Sequence, residues 1–294
     1  MESNPTQPLH PSGSGQYWLP QTLGAALELL GVAPYPTVLA GGTDFYPGRV
    51  GRAIAEPVLD VSALDELRGI REHPGRFDLG ARTTWSDLLR APLPALFDGL
   101  KLAAREVGGV QIQNAGTIAG NLCNASPAAD GVPPLLAMDA EVELKSLRGS
   151  RVLSLDRFLL GNRKTAIAPD ELLTAVRIPK PAGAARSGFL KLGSRRYLVI
   201  SIAMVAAVLE ADGAGRVARA RVALGACSPV AQRLPDLEAA LAGQTLDRAL
   251  GEAVRPEHLK PLSPIDDVRG SAGYRMDAAL TLVRRLLGEL GGRP

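Results

Sequence analysis

The stretch Pro179-Lys180-Pro181-Ala182-Gly183-Ala184 can continue neither a helix nor the middle of a sheet. Its prolines remove backbone donors and its glycine raises the entropy cost of order. At 294 residues the chain exceeds the usual single compact unit. The break is therefore read as a boundary between a larger unit over 17–180 and a smaller one over 181–294. Residues 1–16 are polar and rich in Pro, Ser and Gly, and are read as a flexible leader. They lack the basic segment and apolar run of an export signal. The longest apolar run, Leu198 to Leu209 with Ser201 inside it, is too short to span a membrane. A cytoplasmic location is expected. Hydrophobic residues at 46% and charged residues at 21% fit a packed globular core, which excludes disorder for the chain as a whole. Lys+Arg 33 against Asp+Glu 30 gives only +3, and the positive charge is dispersed, which speaks against nucleic acid as a partner.

Apolar spacing predicts a helix over 21–30 ending at Gly31, a strand over 37–39, strands at 58–61 and 77–79, and helices at 85–89 and 96–107. Thr84 with Asp87 resembles a capping box. Strand patterns return at 141–147 and 172–178. Beyond the boundary, 199–209 and 217–224 flank Ala211-Asp212-Gly213-Ala214-Gly215 as a hairpin. Helices follow at 237–241 and 276–290, the last with one continuous apolar stripe. Tyr197 falls at the start of the hairpin region, where a strand tyrosine is ordinarily packed, the alternative being a side chain turned toward a bound ligand.

Two segments carry candidate chemistry. Ala40-Gly41-Gly42-Thr43-Asp44 follows the strand ending at Leu39; adjacent glycines leave no Cβ between main-chain amides and a ligand, so successive N–H groups can converge on one anion, with the Thr43 hydroxyl beside them. Thr117-Ile118-Ala119-Gly120-Asn121, continuing to Asp130, reads as a small-residue loop offering donors and acceptors without bulk. Cys123, Cys227, His10, His73 and His258 are too few and too scattered for a zinc or iron–sulfur centre. No acid–base pair stands out. Gly213-Ala214-Gly215-Arg216-Val217-Ala218 fits a dinucleotide fingerprint only formally, since it precedes a strand instead of opening a helix.

In order and spacing, these two segments resemble the flavin-binding segments of the FAD-binding medium subunit of the molybdenum hydroxylases, the family of xanthine dehydrogenase and carbon monoxide dehydrogenase. That family has Thr-Ile-Gly-Gly-Asn where this chain has Ala119 for the first glycine. The likeness continues through Gly161-Asn162-Arg163-Lys164-Thr165 with Ala168-Pro169-Asp170-Glu171-Leu172, Phe189-Leu190-Lys191-Leu192-Gly193-Ser194-Arg195-Arg196, Leu224-Gly225-Ala226-Cys227-Ser228-Pro229 and Asp267-Val268-Arg269-Gly270-Ser271-Ala272-Gly273-Tyr274-Arg275. After Arg195-Arg196 the family usually carries an acid, whereas this chain reads Tyr197-Leu198-Val199-Ile200.

The resemblance implies an α+β fold: a two-subdomain FAD-binding domain of PCMH type followed by a C-terminal α/β flavoprotein domain. It implies FAD held by Leu39, Ala40, Gly41, Gly42, Thr43 and Asp44 together with Thr117, Ile118, Ala119, Gly120 and Asn121. Asp130 is implied as an acceptor for a sugar hydroxyl, Val107 as an apolar wall and Lys164 as a polar contact. It further implies an oxidoreductase subunit in a hetero-oligomer. An iron–sulfur subunit and a molybdopterin subunit would be the partners, substrate would be oxidised at molybdenum in the latter, and electrons would leave through FAD to NAD or another acceptor. One alternative is a self-contained flavin-dependent oxidase or reductase of the same architecture, and another is an interaction module that binds no cofactor.

Overall fold

The structure, a computed structural model, describes residues 15–292. The leader expected over 1–16 lies almost wholly outside the described residues. The chain opens with β1 (Tyr17–Trp18), α1 (Leu23–Leu30), β2 (Thr37–Leu39) and β3 (Val58–Asp60). The strands form a parallel sheet in the order β1-β3-β2. Ala26 and Leu30 of α1 bury against Leu59, Val61 and Leu64 in a small core of their own. The Thr22 hydroxyl accepts from the Ala25 amide and starts the helix.

A second subdomain follows: β4 (Ile70–Glu72), β5 (Arg76–Gly80), α2 (Trp85–Arg90), α3 (Asp98–Glu106), α4 (Val110–Ala115), α5 (Ile118–Asn124), α6 (Val132–Ala137), β6 (Glu141–Ser146), β7 (Gly149–Ser154), α7 (Leu155–Phe158), β8 (Leu159–Gly161), β9 (Lys164–Thr165) and β10 (Leu172–Pro179). Its five-stranded antiparallel sheet runs β4-β5-β10-β6-β7. The Thr84–Asp87 capping box forms at the start of α2 in both directions.

The C-terminal part is a four-stranded sheet, β11 (Ala185–Leu192), β12 (Ala203–Ala211), β13 (Val217–Gly225) and β14 (Gln232–Arg233), antiparallel throughout. It is backed by α8 (Pro235–Leu241) and α9 (Ala272–Gly291). The apolar stripe of α9 docks through Ala279, Val283, Leu286, Leu287 and Leu290. β12 begins at Ala203, so Val199 and Ile200 lie in the loop before it. Tyr197 is exposed instead of packed.

Sheet β11–β14 does not stand apart from the second subdomain. Phe189, Met204, Ala206, Val208 and Ala223 belong to the same buried cluster as Phe97, Leu100 and Leu135. α3 approaches β11 so closely that a Cβ on Gly99 would sit 2.8 Å from the Gly188 carbonyl oxygen. The Gly99 amide donates to the Ser187 hydroxyl at 2.8 Å. The end of α6 is held from the other side by arginines of the C-terminal sheet. Arg221 donates to Ala137 O, Arg233 to Leu136 O, and Asp139 accepts from Arg219 and Arg233. Such charge-assisted bonds complete a helix end whose carbonyls would otherwise lack partners.

Inside the C-terminal part, Arg275 is buried and donates to Ile202 O, Ala226 O and the Asp267 carboxylate. The Arg269 amide, then Arg275 and the Arg269 guanidinium, hold the Asp267 carboxyl down to about 2 against an ordinary 3.8. A depressed folded-state value means stability that is present above about pH 4 and lost as pH falls toward 2. Thermal midpoints of wild type and Asp267→Asn should therefore differ at pH 6 and converge by pH 2; a pH-independent gap would contradict this.

Candidate functional site

β2 delivers the chain into Ala40–Asp44 at the edge of its parallel sheet. Gly42 takes φ +71, a left-handed conformation suited to glycine, and a Cβ there would meet the Tyr46 ring at 2.7 Å. Gly41 has a stricter reason to lack a side chain: its Cβ would lie 1.9 Å from the Ala115 carbonyl oxygen. The first glycine segment therefore touches the backbone immediately before the second. Thr43 Oγ1 approaches Gly116 from the same side. Among the described residues no acceptor bonds the amides of Gly41, Gly42, Thr43 or Asp44.

The second segment is a helix start, not the loop expected. Thr117 is the N-cap of α5, its hydroxyl accepting from Gly120 N at 2.9 Å. Ala119, at the position of the family's glycine, sits inside this helix with no positive φ, so its methyl group is accommodated. The segment is anchored to the entry of α2 by Ile118 N to Thr83 O, just before the cap, and by Trp85 N to Gly116 O. Thr117, Gly120, Asn121 and Asn124 follow one another at helical spacing along one face.

Both segments open onto one cavity of about 980 Å³, at the upper end of the roughly 300–1,000 Å³ typical of ligand sites. Of the residues singled out from sequence, Leu39, Ala40, Gly41, Gly42, Thr43, Asp44, Val107, Thr117, Ala119, Gly120 and Asn121 line it. Three do not. The Ile118 side chain is fully buried in the core. Lys164 is exposed on β9, whereas Arg163, one residue earlier with φ +58 in the β8–β9 turn, lines the cavity and bonds Asn124. Neighbouring positions of a hairpin face opposite ways, and the turn decides which of the two points inward.

Asp130 is the third. It is buried outside the cavity, one carboxylate oxygen on Lys191 Nζ at 2.7 Å and the other on Ser201 Oγ at 2.6 Å. Burial pushes its carboxyl up against the pull of Lys191 and Ser201.

The sequence reading also missed the buried Trp85, which forms part of the wall, and Arg49, which lies 3.8 Å over the Phe45 ring and pairs with Glu56. Cys123 lines the cavity with its thiol accessible from it, and the surrounding protein pushes that thiol upward. Reading 118–124 as a helix would have grouped Asn124 with the site.

Two glycine segments meeting at backbone contact beside one large cavity, with unspent amides on one side, suit a chain that holds a phosphate-bearing cofactor. Residues 12–181 match the FAD binding domain in molybdopterin dehydrogenase and residues 189–290 the CO dehydrogenase flavoprotein C-terminal domain. The chain is 32% identical to the nicotine 6-hydroxylase medium subunit of Paenarthrobacter nicotinovorans, over 95% of this chain and 98% of that one. It is 31% identical to a putative xanthine dehydrogenase FAD-binding subunit of Escherichia coli, over 91% and 93%. The structure of reconstituted CO dehydrogenase from Oligotropha carboxidovorans superposes with a TM-score of 0.86 at 28% identity, covering 97% of this chain and all (100%) of that chain. The chain belongs to the family of FAD-binding medium subunits of the molybdenum hydroxylases; it is an oxidoreductase subunit and its cofactor is FAD.

The residues present fit that cofactor. Asn121 Oδ1 is buried with no hydrogen-bond partner among the described residues, an acceptor awaiting a donor beside Trp85 and Gly131. The Gly41–Asp44 amides are donors without acceptors, and Arg49 and Arg163 supply positive charge to a cavity that must take a diphosphate. No helix of the described residues is long and apolar enough to cross a membrane.

Proposed function

We propose that this chain is the electron-transferring subunit of a xanthine dehydrogenase-like molybdenum hydroxylase, working between the iron–sulfur clusters of a partner subunit and NAD or another acceptor. Substrate oxidation then belongs to a molybdopterin-bearing partner. When bound, FAD supplies the exchange between one-electron carriers and a two-electron acceptor. The chain's own residues bind and orient: the amides of Gly41, Gly42, Thr43 and Asp44 and the N-terminal turn of α5 hold the diphosphate, while Val107, Trp85 and Leu173 wall the cavity. The implied role of Asp130 toward a sugar hydroxyl is kept as a separate proposal, tested below. The observation that carries the reading is the contact of Gly41 with Ala115, which makes two distant segments into one site. Division of the chain at 179–184 into two family units is part of the same proposal.

Among the described residues no group of three or more His, Cys, Asp or Glu side chains is placed to hold a metal ion. The test is isolation of the native assembly: expected are about one FAD per chain, co-purifying iron–sulfur and molybdenum subunits, and flavin reduction by substrate only in the assembly. Oxidation of a small organic substrate by the isolated chain would favour a self-contained enzyme instead.

Cys123 reports on occupancy without turnover. In apo-protein at alkaline pH a maleimide should label Cys123 slowly and leave the fully buried Cys227 untouched, and added FAD should suppress the labelling at least tenfold. Equal labelling with and without FAD would move the cofactor out of this cavity.

A further inference from the structure

Six of the large apolar side chains left exposed fall on three segments that approach one another. Val110, Tyr197, Leu198, Ile200, Val268 and Tyr274 are all exposed, Val268 at 99%. Monomers rarely carry a broad exposed apolar surface without a use for it. These three segments adjoin. Leu198 Cδ2 lies 3.6 Å from where a Gly109 β-carbon would be, which joins the loop before β12 to the start of α4 and its cavity-lining Ile112. On the other side Ile202 packs by Gly270, and its carbonyl accepts from Arg275, which joins the same loop to the Asp267–Gly270 turn.

Both tips are held outward. Leu198 sits at φ +52, an unfavourable conformation for leucine, with its carbonyl accepting from the Arg195 guanidinium. Val268 projects from a turn closed by paired Asp267 and Gly270 backbone bonds and by the Asp267 carboxylate, which accepts from Arg269 N, Arg269 Nη1 and Arg275 Nη2. Apolar groups fixed in place lose little freedom when they are covered.

The fringe of this face is cationic. Arg195 and Arg196 are exposed and make no ion pair among the described residues; Arg196 lies over the Tyr197 ring, and Glu106 acts on it only through space. A second copy docked through the same face would bring these arginines onto one another.

We propose that this face is the docking surface for the partner subunit that exchanges electrons at the cavity, through an apolar patch edged by carboxylates. The proposal rests on the function proposed above. It places the partner along the Val110–Ile112 side of the cavity, where one protein can both cover the apolar rim and bring its carrier to the cofactor.

The test uses the assembly purified from cells that make it, with Leu198→Asp and Val268→Asp together in this chain. The expected result is a free, FAD-replete chain on size exclusion, with subunit association weakened at least 100-fold. Arg195→Glu with Arg196→Glu should weaken association less and flatten its salt dependence. Hydrogen exchange on wild type should show 195–200 and 266–270 protected in the assembly relative to the isolated chain. Wild-type stoichiometry in the Asp double variant, absence of that protection, or self-association of the isolated chain through these segments overturns the docking surface alone. A wild-type chain that carries FAD but joins no partner overturns it together with the electron-relay function.

Discussion

Gly41→Val protein is expected to come off the column colourless, with FAD affinity lowered by at least about 100-fold, or roughly 3 kcal/mol. Any Cβ at this position falls 1.9 Å from Ala115 O and 2.6 Å from its carbonyl carbon, and both atoms are backbone. No rotamer change relieves that. The two segments must separate, and the amides of Gly41 to Asp44 then no longer face α5. Gly42→Val should act in the same direction for two other reasons, its left-handed φ and the Tyr46 ring. Gly24→Ala, where a Cβ meets nothing within 4 Å, is the control and should keep its flavin. The absorbance ratio of flavin to protein and a titration of apo-protein with FAD decide the matter. Full flavin content in Gly41→Val would mean the cofactor does not depend on this junction.

Asp130→Ala is expected to cost stability before it costs affinity. The Lys191 side chain is only 6% exposed, and removing its counter-ion leaves a buried ammonium and the Ser201 hydroxyl without their acceptor. Breaking a buried pair by removing one partner typically costs about 3–5 kcal/mol, so a fall in the unfolding midpoint of roughly 6–20 °C follows at about 2–4 °C per kcal/mol. Lys191→Met in the same chain should restore much of it, because the uncompensated charge is gone. If Asp130 also accepts from a sugar hydroxyl, as the family resemblance implies, the double variant should still bind FAD more weakly by about 1–3 kcal/mol. Recovery of both midpoint and affinity would leave the ion pair as its whole role.

Much of this architecture was legible because long amphipathic elements announce themselves. The stripe of α9, the pattern of β10 and the capping box of α2 each depend on residues within one or two turns of one another. The helices α4, α5 and α6 escaped for the opposite reason. Six or seven residues each, built from small, polar or proline-rich sequence, they have little intrinsic tendency to form and owe their existence to packing and to anchors such as Ile118 N on Thr83 O. The site was half visible in the same sense. Glycine pairs show where a backbone must be bare, but only the fold shows what each glycine touches. Choosing Arg163 over Lys164 required the geometry of a two-strand turn, and no spacing rule supplies it. Asp130 was a conspicuous acid in the right stretch, yet its partners Lys191 and Ser201 come from beyond the 179–184 break.

The core shared by α3, α6 and the C-terminal sheet has a consequence for heredity. Because Phe189 and Met204 share one apolar interior with Leu100 and Leu135, and two arginines from the later strands finish α6, the two family segments cannot be traded piecemeal between cousins. A chimera spliced at residue 181 would inherit mismatched knobs and sockets from its two parents, so recombination among such genes should favour crossovers outside both segments.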